Sequence, residues 1–184
     1  MKNLLLAIAL TLLPSLQAAD WKEALKESLP LLGHRNWIVI ADSAYPWQTS
    51  PGVQTLHTGA TQEEVISAVL QALAKTKHVK PTIYIDRELE YVPEKDAPGV
   101  SAYRDKLAKI FTGSAITKLP HEEIIAKLDE SGKAFRILLL KTDMTIPYTS
   151  VFLQLECGYW NADSEKRLRA ALPADNKKES GAIE

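Results

Sequence analysis

The chain has 184 residues, 46% of them hydrophobic and 24% charged, with 22 basic side chains against 23 acidic ones and a single cysteine. This is the make-up of one globular domain, not of a disordered, collagen-like or disulfide-built chain. The near-zero charge argues against a protein that grips nucleic acid through its phosphates. One cysteine excludes an intrachain disulfide and any multi-cysteine zinc or iron–sulfur site.

Met1-Lys2-Asn3 is a short basic start, residues 4–13 are apolar apart from Thr11, and Ala18-Ala19 ends the segment with small residues. That order is the pattern of a secretory signal peptide, and about ten apolar residues are too few to span a bilayer core of roughly 30 Å. Residues 1–19 are therefore expected to be removed on export, taking Lys2 with them and moving the net charge from −1 to −2. The mature protein is expected to be periplasmic, or secreted, with no membrane insertion and with Cys157 as a buried free thiol.

One α/β domain is expected over residues 20–160, followed by a helical extension and polar tail at 161–184. Asp20 and Glu23 read as a capping pair for a helix that buries Trp21, Leu25 and Leu29 before Pro30 ends it. The continuous apolar run at 37–41 predicts a strand covered on both faces. Thr61 and Glu64 form a capping box, after which Val65, Ile66, Val69, Leu70 and Leu73 fall on one helical stripe. A strand is expected at 82–85 and a helix at 99–111, burying Tyr103, Leu107, Ile110 and Phe111. A short strand follows at 115–117, then a helix at 120–128 with Pro120 near its first turn. Residues 135–140 and 151–155 are two more apolar strands, and Asp163 is placed to cap a last helix carrying Leu168 and Leu172. Strands alternating with helices predict a layered α/β sheet.

No G-x-G-x-x-G, G-K-[ST] or G-x-S-x-G arrangement is present, so nucleotide-binding and serine-hydrolase readings have no support. The histidines at 34, 57, 78 and 121 are scattered without ligand spacing, and no metal site is expected. What remains is a set of polar residues at strand ends, where open α/β sheets place their sites. His34 enters the first strand and Asp42 leaves it; at about 3.3 Å per residue a straight strand holds them roughly 26 Å apart. Three arrangements are open: a loop that curls His34 back, a site shared across a subunit boundary, or two residues that merely cap neighbouring loops.

The segment Gly33-His34-Arg35-Asn36-Trp37-Ile38-Val39-Ile40-Ala41-Asp42-Ser43-Ala44-Tyr45-Pro46 resembles the N-terminal motif of the D-ribose pyranase / L-fucose mutarotase family. Glycine, histidine, asparagine, the apolar run, aspartate and proline all stand in register. Lys141-Thr142-Asp143-Met144-Thr145-Ile146-Pro147-Tyr148-Thr149-Ser150 resembles the family's second motif, with Asp143-Met144 in place of Gly-Glu and Ser150 in place of asparagine. Between the motifs, residues 53–73 match a loop and amphipathic helix of the fucose-type branch. His121 stands where the ribose-type branch has a histidine.

The resemblance implies a three-layer α/β/α fold with a central mixed sheet and a ring-shaped homo-oligomer with sites between subunits. The activity it implies is interconversion of the anomers or ring forms of a free monosaccharide, without metal or organic cofactor. It casts His34 as the principal acid/base residue, with Asp42 and Tyr148 in the catalytic set. His121 and Ser150 are implied to bind substrate; Tyr45 and Trp47, just past the first motif, are placed to stack on a sugar face or to pack in the core or at a subunit interface. Histidine suits the reaction because its unperturbed pKa near 6.5 lets it take or give a proton near neutrality. The departures from the second motif leave an alternative, a non-catalytic sugar-binding or protein-interaction protein on the same fold.

Overall fold

The run Trp37–Ala41 forms a strand, β1, in which every residue is buried. Its side chains alternate between two separate cores. Ile38 and Ile40 point into one, while Trp37, Val39 and Ala41 point into the other. A strand with apolar residues on both faces requires cover on both, and the rest of the fold supplies it. The structure, a computed structural model, describes residues 20–172. The expected signal peptide at 1–19 and the tail from Pro173 lie outside the described residues.

After helix α1 (Trp21–Ser28) and β1 come β2 (Val53–His57), α2 (Gln62–Ala74), β3 (Val79–Asp86) and α3 (Val100–Ile110). They are followed by β4 (Ile116–Leu119), α4 (His121–Gly132), β5 (Ile137–Lys141), β6 (Val151–Cys157) and α5 (Ala162–Ala171). The strands form one six-stranded mixed sheet in the order β2-β5-β1-β6-β3-β4. β2, β5 and β1 are parallel, as are β3 and β4, and β6 runs antiparallel between the two groups. Trp21, Leu25, Val65, Val69, Val100 and Leu107 bring α1, α2 and α3 onto one face. Ile124 and Leu128 bring α4 onto the other. This is the expected three-layer α/β/α arrangement with a mixed central sheet.

Local details depart from expectation at four points. Asp20 caps α1 through the Lys22 amide, but Glu23 turns outward to Lys26 (2.8 Å) instead of returning to the cap. Strand β2 was not expected. Its residues are polar or half-buried because it is an edge strand, hydrogen-bonded to β5 alone. Gly52 permits that edge to close: a Cβ there would collide with the Gly132 carbonyl and stand 2.6 Å from that of Phe135. The cap of α5 is Asn161, not Asp163; its backbone is extended and its side chain accepts from the Ser164 amide at 2.8 Å. Leu168 and Leu172 stay exposed, and α5 buries none of its residues.

Candidate functional site

Ile40 and Ile85 both stand opposite Val151, and Ala41 and His57 both pair with Lys141. The five parallel-directed strands therefore end on one edge of the sheet, where β6 begins. Such an edge gathers residues that are remote in sequence. Asp42 follows β1, Asp86 ends β3, His121 opens α4 directly after β4, and Ser150 precedes β6.

The floor of this edge is a closed hydrogen-bond network. Gln62 is fully buried and donates to the Ile40 carbonyl (3.1 Å) and the Thr149 carbonyl (2.9 Å), while accepting from the Thr142 hydroxyl (2.5 Å). The Thr142 amide donates to the Ala41 carbonyl (2.9 Å), and the buried Tyr103 hydroxyl donates to the Thr149 carbonyl at 2.7 Å. Buried polar groups satisfied in this way fix one geometry, because any alternative strands a donor or acceptor out of water. Asp42 stands on that floor. Its amide donates to Ser150 Oγ (3.2 Å), Ser150 Oγ donates to Asp42 Oδ2 (3.0 Å), and Asp42 Oδ1 accepts from the Ala44 amide (2.9 Å).

Tyr148 has φ 59°, a left-handed backbone that a bulky residue adopts at a cost. The turn is held by Thr149, whose hydroxyl donates to the Ile146 carbonyl at 2.7 Å. It brings the Tyr148 ring edge-on to His121, with centroids 5.6 Å apart. Asp42, Tyr45, Gln48, His121, Pro147 and Tyr148 line a cavity of about 330 Å³. Tyr45 belongs half to the pocket and half to the core: its ring packs in the second apolar cluster, and burial holds its hydroxyl above the ordinary phenol range, hence protonated.

Beneath His121 sits a residue that sequence reasoning missed. Asp86 is 0% exposed, and its Oδ1 lies 3.1 Å from His121 Nδ1. Loss of water pushes the Asp86 carboxyl up to about 6, with the facing imidazole pulling the other way and Glu88 and Asp42 adding to the rise. Glu88, in the 3-10 turn Arg87–Glu90, accepts from the His121 amide through both oxygens (3.1 Å each), fixing the first turn of α4. The available signal was positional: Asp86 closes its strand much as Asp42 follows β1.

The other expected site residues lie elsewhere. His34 stands at the opposite end of β1, where the Arg35 amide bonds the Leu155 carbonyl near the end of β6. Within one chain the loop does not curl back. His34 Nδ1 is 2.9 Å from Glu156 Oε2, in a cleft of about 720 Å³ that also takes in Lys80, Cys157, Trp160 and Arg169. Cys157, expected to be buried, is half-exposed there. Trp47 is 86% exposed and borders a separate hollow beside Ser50 and Leu128, so it is neither in the pocket nor in the core. Among the other histidines, His57 Nε2 meets Asp143 Oδ1 on the surface at 2.9 Å, and His78 bonds the Leu29 and Leu32 carbonyls. Among the described residues, no three histidine, cysteine, aspartate or glutamate side chains gather as a metal site.

A family model described as the RbsD / FucU transport protein family matches residues 22–157. Among solved structures, the chain is similar to Bacillus subtilis RbsD complexed with D-ribose, at 21% identity and a TM-score of 0.51, over 72% of this chain and 91% of that one. It is similar also to the fucose mutarotase in complex with L-fucose from Streptococcus pneumoniae, at 21% identity and a TM-score of 0.50, over 77% of this chain and 97% of that one. No curated protein matches the chain by sequence.

Proposed function

Because the chain belongs to the RbsD / FucU transport protein family, we propose that its pocket at the carboxyl edge of the sheet takes a free monosaccharide and interconverts its anomers or ring forms. The observation that carries the reading is convergence. Asp42, His121 and Tyr148 come from three separate segments and line one cavity of about 330 Å³. The chemistry requires a base to take the anomeric hydroxyl proton and an acid to protonate the ring oxygen. The ring opens, the aldehyde carbon rotates, and the ring recloses. His121 suits the first task, and Asp42, oriented by Ser150, suits a sugar hydroxyl. Positioned groups of this kind contribute about 10² to 10⁴ in rate.

His34 enters this proposal through a neighbouring copy. In one chain it lies at the far end of β1, so a ring-shaped homo-oligomer is the arrangement that brings it to a pocket. Residues 1–19 are proposed to direct the protein out of the cytoplasm, to the periplasm. The reaction is proposed to run without metal or organic cofactor.

A second reading, sugar binding without catalysis, is favoured by Ser150. Its hydroxyl is engaged by the Asp42 amide and carboxylate, leaving fewer donors for a sugar than the family's asparagine has. One-dimensional NMR saturation transfer between anomers of ribose, fucose, galactose and glucose, run beside calorimetry, separates the two. Acceleration that disappears in His121→Ala supports catalysis, heat of binding without acceleration supports the second reading, and neither with any sugar overturns both. Co-assembly of His34→Ala with Asp42→Ala tests the shared site. Recovery of activity from two inactive variants is expected, and no recovery places the site within one chain.

A further inference from the structure

A carboxylate sealed inside a sheet is costly unless something compensates it, since loss of water disfavours the charged form. Asp86 is such a group: it is fully buried, and among the described residues no donor makes a well-aligned hydrogen bond to either of its oxygens. The groups facing it are Glu88 from the adjoining turn, Asp42 from the end of β1, and His121 from α4. Two of these are acidic and repel a negative charge. His121 alone attracts one, with Nδ1 at 3.1 Å from Oδ1. The imidazole is held in that attitude from two sides, by Glu88 on its backbone amide and by the Tyr148 ring against its face. Nδ1 is buried while 32% of the side chain is exposed, so the Nε2 edge is the one left to the pocket.

We infer that Asp86 is a positioning residue for His121, keeping the proton on Nδ1 and the Nε2 lone pair toward the sugar. This rests on the sugar-isomerising reading of the pocket and names the group that makes one of its histidines a base. The anomeric hydroxyl gives its proton to Nε2 and the carbonyl forms at that carbon. The bond to the ring oxygen breaks, and the ring oxygen takes a proton from the Tyr148 hydroxyl. Reclosure on the other face reverses both transfers. During the open interval the imidazole is positive, and Asp86 lies against it at Nδ1.

The experiment is heteronuclear NMR of the His121 ring in the full chain, with saturation transfer as a function of pH. In the wild type the neutral ring is expected to carry its proton on Nδ1. In Asp86→Asn the neutral ring is expected to lose that preference and populate the tautomer protonated on Nε2. The rate at neutral pH should fall about 10²-fold through kcat while KM stays unchanged. A neutral wild-type ring protonated on Nε2 overturns the inference, and this measurement stands even if Asp86→Asn fails to fold. An Asp86→Asn with unchanged ring tautomer and unchanged rate also overturns it. If the wild type binds and accelerates no sugar, the sugar reading fails while the ring tautomer still decides the dyad.

Discussion

The two ends of β1 carry the two residues of one motif, and they are built in opposite ways. At the carboxyl end Asp42 is gripped by three hydrogen bonds above a floor locked by the fully buried Gln62. At the amino end the His34 side chain is 53% exposed and, among the acidic groups of the described residues, meets only Glu156, and the wall beside it is α5, a helix that buries none of its residues. Topology explains the difference. Five strand ends and the start of α4 converge on the first edge, while the second has loops and a terminal helix. The first end holds a pocket ready-made; the second is a half-cleft whose function depends on what is set against it.

Four changes test this contrast, from the largest expected effect to the smallest. His121→Ala, which removes the base of the ready-made end, is expected to lower the anomer-exchange rate by about 10² to 10⁴ while far-ultraviolet circular dichroism stays unchanged. An exchange rate within a factor of two of wild type would move the chemistry to the other end. Gln62→Leu takes the side-chain donor from the Ile40 carbonyl and the acceptor from the Thr142 hydroxyl, while the Thr149 carbonyl keeps Tyr103; with an unmet buried group costing about 1–3 kcal/mol, urea unfolding should show a loss of about 1–3 kcal/mol at constant m.

Acidity provides the third test. The Asp86 carboxyl is raised by burial to about 6 in the folded protein from an ordinary value of 3.8. Between those values the native state holds more protons than the unfolded chain, so stability should fall as pH rises from about 4 to about 6 and level off above. Asp86→Asn is expected to flatten that slope in denaturant titrations across the same range. The smallest effect belongs to the open end. Glu156→Gln breaks an exposed pair with His34 and should change stability by less than about 1 kcal/mol. A larger loss would mean that the amino end is as firmly built as the other.

Much of this architecture was legible because apolar runs are unambiguous where a strand is covered on both faces, as at Trp37–Ala41 and Ile137–Lys141. Strand β2 was not, since an edge strand with one hydrogen-bonded neighbour has no need of an apolar pattern. Asp42 was readable as a polar residue at a strand end, Tyr148 from the second motif, and His121 from the place of a histidine in the ribose-type branch. The rise per residue correctly kept His34 away from Asp42 in one chain. Asp86 was hidden for a different reason: its importance comes from a partner that follows an intervening helix and strand, and no local pattern records that meeting. Trp47 shows the converse, a residue close in sequence to the motif yet turned away from the pocket.

The place of β1 in the sheet also governs when the molecule can become a molecule. Its two neighbours are β5 and β6, with Trp37 registered against Ile137 and Gln154, so its pairing closes loops of roughly a hundred residues. As the chain leaves the ribosome, α1, β1, β2 and α2 emerge without the strands that complete their sheet, and the two cores can close only after β6 has been made. Pairing of such high contact order is slow. Newly made chains should therefore stay open and threadable for longer than a helical bundle of this size, the state in which a polypeptide destined for the proposed export route has to travel.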